Sequence, residues 1–189
     1  MGSPEHALIL RDFVTADFDR LIAWVPDERS LIQFAGAIFR FPLDREQLSM
    51  YLEDPLRKVY VVVNEGQAIG HAEIYRESAD IVKLCRILIG DPAARGKGYG
   101  RKLIPLLMER AFSDPDVQSL KLHVFDWNTA AIRCYEGAGF KLDTDFSAEL
   151  NRDSIHWKVL RMTKQRQDPG LQLLCTEGGP RIDSAQQKD

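Results

Sequence analysis

Residues 91–103 read DPAARGKGYGRKL, and the reading of the rest of the chain depends on what this stretch joins. Gly96, Gly98 and Gly100 alternate with Arg95, Lys97 and Tyr99, and two further cations, Arg101 and Lys102, follow. Alternating glycines weaken a helix and a strand alike. Yet the apolar run IVKLCRILIG (81–90) precedes them, and Leu103, Ile104, Leu107, Met108 and Ala111 follow at spacings that share one helix stripe. The junction therefore reads as strand, glycine loop, helix. A loop without Cβ atoms can aim successive N–H groups into one concavity, and a helix N-terminus adds free donors and partial positive charge. A diphosphate suits such a nest; the alternative is a plain turn carrying solvated cations. Two nucleotide loops fail on spacing: GxGxG replaces the dinucleotide GxGxxG, and Gly98 stands where a Walker A loop needs a hydroxyl. Pro105 lies off the apolar stripe, so a kink there is tolerable.

Outward from this junction the hydrophobic period alternates between that of strands and that of helices. KVYVVVNEGQAIGHAEIYR (58–76) predicts a hairpin turning at Asn64-Glu65-Gly66, and residues 80–89 a third strand. Downstream, strands are expected at 119–125, 139–146 and about 155–163, with a helix over 128–137. Upstream, a short strand lies within 6–13 and a helix within 15–25, and an apolar patch spans 31–39. Asp44 followed by Gln47 has the capping-box spacing for a helix that presents Leu48, Tyr51 and Leu52 to a core. The order βααβββαβαββ predicts an α/β (α+β) domain with a mixed, mostly antiparallel central sheet flanked by helices. The pattern fades after Lys164, so residues 1–164 form the expected domain and 165–189 a flexible tail.

Composition narrows the function classes. The 189 residues are 44% hydrophobic and 28% charged, as in an ordinary soluble domain. A net charge of −3 argues against sequence-independent nucleic-acid binding, which rests on a basic surplus. Cys85, Cys134 and Cys175 form no CxxC pair, which favours a reducing cytoplasm over a disulfide framework. His6, His71, His123 and His156 form no metal-binding pair, so no metal is expected. No signal peptide is expected, and no apolar run approaches the ~18 residues of a membrane span.

The second informative segment is NTAAIRCYEGAGF (128–140). Asn128 is a good N-cap, and Tyr135, seven residues on, lies on nearly the same helix face. Gly139 suits a left-handed helix end, and Phe140 restarts the sheet. Two readings stand for Asn128 and Tyr135: a cap and a packing ring, or polar groups facing a ligand.

Taken together, RGKGYG (95–100) opening a helix and NTAAIRCYEGAGF (128–140) resemble the GNAT superfamily of N-acetyltransferases, with matching elements across about residues 6–164. The form is similar to bacterial members that acetylate protein N-termini, polyamines or other small amines. The resemblance implies a GNAT-like fold, acetyl-CoA as donor substrate, an amine acceptor, no metal, and a monomer or homodimer. By the same resemblance the amides of Arg95, Gly96, Lys97, Gly98, Tyr99 and Gly100 hold the diphosphate. Ile87, Leu88 and Ile89 splay from the neighbouring strand and pair with the pantetheine arm like an added strand. Asn128 contacts that arm, and Tyr135 sits near the thioester sulfur as the acid. Glu73, on a predicted central strand, is the first candidate for the base, with Asp80 behind it. The competing class is a non-catalytic acyl-CoA-binding sensor or scaffold, which needs no proton donor at Tyr135. Acceptor recognition is expected from residues 13–57 and the Ala148–Asp153 turn. Trp24, Phe34, Phe39 and Tyr51 are candidate walls, and Asp27, Glu28 and Asp44 candidate attractors of a cation. Gly137 replaces a usually larger residue, and the strand exit at residues 89–92 is one residue longer than is common for the family.

Overall fold

The computed structural model describes residues 8–152 and 155–166. The chain runs β1 (Ile9–Asp12), a single 3-10 turn (Thr15–Asp17), α1 (Phe18–Trp24), α2 (Glu28–Ala35) and α3 (Arg45–Leu52). Next come β2 (Arg57–Asn64), β3 (Gln67–Arg76), β4 (Ile81–Ile89), α4 (Tyr99–Phe112), β5 (Ser119–Phe125) and α5 (Thr129–Gly137). Three strands close the domain: β6 (Lys141–Leu142), β7 (Ala148–Arg152) and β8 (Ile155–Gln165). They form one sheet in the order β1-β2-β3-β4-β5-β8-β6, with β7 also on β8. Every pairing is antiparallel except β4 with β5, which the α4 crossover makes parallel.

Local chemistry explains most of these boundaries. Glu65 and Gly66 both take positive φ, 50° and 79°, the geometry of the tight two-residue loop joining β2 to β3. Asp44 Oδ1 accepts from Gln47 N at 2.8 Å and caps α3. The Gln47 side chain, however, does not return to Asp44: it bonds the backbone of Arg40 and Pro42 instead. The patch at 31–39 becomes α2, capped by Asp27, whose Oδ1 accepts from Ser30 N at 2.7 Å. The long strand expected at 139–146 shrinks to β6, because Asp143 breaks it. Its Oδ1 accepts from Asp145 N at 3.1 Å, and its Oδ2 takes the Arg161 guanidinium at 2.7 Å. The chain then re-enters as β7, so Ala148–Arg152 is a strand rather than a loop. Of the expected tail, residues 167–189 lie outside the described residues, as do His6, Asp153 and Cys175.

Side-chain alternation sends the two faces of the sheet into two cores. Tyr60, Val62, Ala72, Val82, Leu84, Leu120 and Leu122 pack with Leu103, Ile104 and Leu107 of α4. Val59 and Val61 pack on the other face with Leu21, Leu31 and Leu48 of α1 to α3. Pro105 is exposed, opposite the buried stripe. Among the described residues no helix is long and apolar enough to cross a membrane.

Candidate active site

The site is built where the sheet comes apart. Pairing of β4 with β5 extends only over Ile81–Lys83 with Ser119–Lys121, and beyond it the strands diverge. On its other edge β4 stays hydrogen-bonded to β3, with a break in register between His71 and Glu73. That break coincides with Arg86, at φ 47°. A non-glycine residue there is strained, of order 1–3 kcal/mol, and needs its surroundings to hold it. The surroundings are visible. Val82 and Leu84 face the α4 core, so simple alternation would turn Arg86 toward it as well. The bulge instead directs the guanidinium to Glu73 across the opposite face. Ile87 resumes packing on the α4 side, with Leu88 on the other.

A cavity of about 390 Å³ opens between the diverging strands. Lys83, Cys85, Arg86 and Ile87 of β4 line one wall, and His123, Val124 and Phe125 of β5 the facing one. Phe34 and Gly36 at the end of α2 contribute, with Leu150 of β7 and both Asn128 and Tyr135. Ile87 thus lines the cleft, while the Leu88 and Ile89 side chains pack into the two cores. Asn128 Oδ1 accepts from Ala131 N at 3.3 Å, so the residue caps α5 and borders the cleft at once. Tyr135 is buried against Phe140, and no described residue hydrogen-bonds its hydroxyl. Burial, then the neighbouring Cys134 and Cys85, raises its pKa well above that of an ordinary phenol. Cys85 itself is pushed up to about 11 by burial.

At the end of β4 the glycine loop turns into α4. Gly96 and Gly98 have φ of 73° and 80°, and a Cβ at either would meet nothing within 4 Å. Backbone conformation, then, is what demands glycine there. The N–H groups of Arg95 through Gly100 hydrogen-bond to no described residue, which leaves a run of free donors at the α4 N-terminus. The Arg95 side chain folds back onto the carbonyls of Ile89 and Gly90 at 3.2 and 3.1 Å. Tyr99 Oη accepts from Asn64 Nδ2 at 3.1 Å and ties the loop to the hairpin. Lys97 is exposed. The long strand exit is held by Ile69 O, which accepts from both Gly90 N and Asp91 N. A second hollow, between α4 and α5, is lined by Arg101, Arg133, Cys134 and Gly137.

Several expected residues lie elsewhere. Glu73 is fully buried and accepts from Tyr51 Oη, from Arg57 Nη1 at 2.9 Å, and from Nε and Nη2 of Arg86. With both oxygens engaged by fixed donors, the geometry is that of an anchor and not of a base. Asp80 sits in the exposed β3–β4 turn, bonded to Ser78 Oγ, away from the cleft lining. Of the four aromatic candidates only Phe34 lines the cleft. Trp24 packs on Gly90, and Phe39 and Tyr51 pack edge-to-face in the α1–α3 core. Asp27 and Asp44 are helix caps, and Glu28 pairs with Arg152 at 3.4 Å. Sequence reasoning passed over His123, which lines the cleft against Phe146. Desolvation, then Lys83 and Arg161, lower its pKa, so its imidazole is neutral at pH 7. Its place in an alternating strand was the only available signal.

The profile of the acetyltransferase (GNAT) family matches residues 21–140, and the chain belongs to that family. It is an acetyl-CoA-dependent N-acetyltransferase, transferring an acetyl group to a primary amine. Over 150 residues it is 27% identical to an aminoglycoside N(6')-acetyltransferase type 1 of Klebsiella pneumoniae, covering 71% of this chain and 74% of the relative. The fold is similar to that of AAC(6')-Ib in complex with ribostamycin and coenzyme A, with a TM-score of 0.69 and 23% identity, over 85% of this chain and 94% of the other. It is equally similar to spermidine N-acetyltransferase from Vibrio cholerae in complex with CoA and spermine, at 0.69 and 23%, over 84% and 95%.

Proposed function

We propose that acetyl-CoA lies along the open edge of β4, with its diphosphate on the free amides of Arg95 to Gly100 and its thioester beside Tyr135. Ile87, Leu88 and Ile89 offer the backbone edge for the pantetheine arm, and the Asn128 side chain borders its path. A small primary amine enters from the side of Phe34 and Phe125. The observation that carries this reading is the shared cleft: the β4–β5 ladder ends where Asn128 and Tyr135 converge.

The amine nitrogen attacks the thioester carbonyl and forms the N–C bond, the C–S bond breaks, and the sulfur leaves as thiolate, which takes up the proton that the new amide nitrogen sheds. Tyr135 holds its proton firmly, because burial disfavours the phenolate. It stabilises the departing sulfur by donating a hydrogen bond, and a thiolate, whose acid has a pKa of about 8.5, has no need to strip that proton. His123, a neutral imidazole in the same cleft, takes the proton that the ammonium form must lose before attack. Glu73 supports the reaction at a distance by anchoring Arg86 and the bulge.

Release of the CoA thiol with acetyl-CoA and a panel of amines tests the activity. Tyr135→Phe should keep acetyl-CoA affinity within about twofold and lower kcat by about tenfold or more. An unchanged kcat removes Tyr135 from the chemistry. His123→Asn should abolish the acidic limb of the kcat/KM profile.

A further inference from the structure

The charged side chains that line the cleft all carry the same sign. Arg57, Lys83 and Arg86 line it, and no Asp or Glu does so among the described residues. Their carboxylate partners are set back. Glu73 is wholly buried behind the two guanidiniums, and Asp54 and Glu77 bind Arg57 and Lys83 from outside the lining. The cations themselves remain reachable: the Arg57, Arg86 and Lys83 side chains are 19%, 10% and 25% exposed. Arg86 spends Nε and Nη2 on Glu73, and Arg57 spends Nη1, which leaves the second terminal nitrogen of each guanidinium outside these bonds. The remaining lining is apolar or neutral, with Tyr75, Phe34, Phe125 and Gln33 among it.

A polycation placed here would bring its second ammonium group against three cations whose carboxylate partners are already engaged, with no carboxylate in the cleft lining to receive it. An oxyanion would meet N–H donors of fixed geometry, a guanidinium being the natural partner of carboxylate or phosphate. We infer that the acceptor is a primary amine carrying an oxyanion, carboxylate or phosphate, at its other end, and that Arg57, Arg86 and Lys83 recognise it. This rests on the acetyl-transfer reading above and adds the acceptor's charge.

The test uses amines matched in length: γ-aminobutyrate against putrescine, and phosphoethanolamine against ethanolamine. Acetyl-CoA is the donor, and CoA thiol release is the readout. The oxyanion-bearing member of at least one pair should show a kcat/KM about tenfold or more above its partner, and which pair responds separates carboxylate from phosphate. Lys83→Glu should cut that ratio by about fivefold or more through KM. Arg57→Gln should do the same, with unfolding followed in parallel to report any loss of fold. Putrescine or ethanolamine turned over as well as the acids, or ratios indifferent to Lys83→Glu in folded protein, would overturn the inference while leaving acetyl transfer intact. Failure of every amine tested to release CoA thiol would overturn both.

Discussion

Nδ1 of His71 lies 2.9 Å from the carbonyl oxygen of Arg86, the residue whose positive φ forms the β4 bulge. A carbonyl only accepts, so Nδ1 carries the proton and Nε2 is a bare lone pair, buried and without a hydrogen-bond partner. Phe13 and Phe34 enclose the ring edge-on at 5.1 and 5.2 Å. Arg86 is therefore pinned twice, by its carbonyl to His71 and by its guanidinium to Glu73. Both contacts hold open the strand edge that borders the cleft.

Breaking the second contact is costly because it strands a buried charge. Arg86→Ala should lower the unfolding free energy by on the order of 3–5 kcal/mol. A double-mutant cycle with Glu73→Gln, followed by chemical denaturation, should give a coupling above about 1 kcal/mol. If Glu73 anchors, Glu73→Gln lowers kcat without moving the pKa of the kcat/KM profile. A lost acidic limb in that variant would restore Glu73 as the base.

The buried imidazole makes stability depend on pH. Burial lowers the His71 pKa from 6.5 to about 4. Between those values the unfolded chain binds a proton that the folded chain refuses, so stability falls as pH falls through this window. The total is on the order of 3 kcal/mol, reached near pH 4. Urea unfolding of wild type and His71→Leu from pH 7.5 downward, over a range of about three units, should show the stability difference shrinking with acid. A difference constant with pH would mean that His71 takes up its proton equally in the folded and unfolded chain.

At the glycine loop, conformation and ligand can be separated. Gly98→Ala puts a Cβ into open space at φ 80°, so its cost is the left-handed backbone alone, roughly 1–2 kcal/mol. Rotating the loop away from that φ misdirects its free amides. The acetyl-CoA KM should rise severalfold while kcat at saturation is kept. Gly98→Asn, which tolerates the left-handed region, should be milder on both counts.

Gly90 is constrained by space instead. A Cβ there would fall 2.1–2.5 Å from ring atoms of Trp24, joining the strand exit to α1. Gly90→Ala should destabilise by about 1–3 kcal/mol through overpacking. In a Trp24→Ala background the same change should cost much less, as thermal melts of the four proteins would show.

What was legible beforehand has a local cause. The glycine loop, the Asn128 and Asp44 caps, the Glu65–Gly66 turn and the α4 stripe each follow from residues within a few positions of one another. Period and turn chemistry therefore reveal them, and with them the family. Helix α2 was legible in principle, from Asp27 and Ser30 at capping distance and from Leu31, Ile32 and Ala35 on one stripe, but it is only eight residues long. The truncation of β6 was not, since it depends on Arg161, 18 residues downstream, pairing with Asp143.

The sequence by itself determined the proposed donor side of this protein, because a nest for a diphosphate would be made from consecutive amides whose conformation the glycines set. Tertiary structure alone decided the proposed acceptor side. Arg57, Glu73 and Arg86 belong to three different strands, and the bulge turned Arg86 to a face that alternation would have denied it. Burial then surrounded Glu73 with donors and left the cations in the lining of the cleft. Charge and exposure of that kind arise only when distant strands are brought side by side.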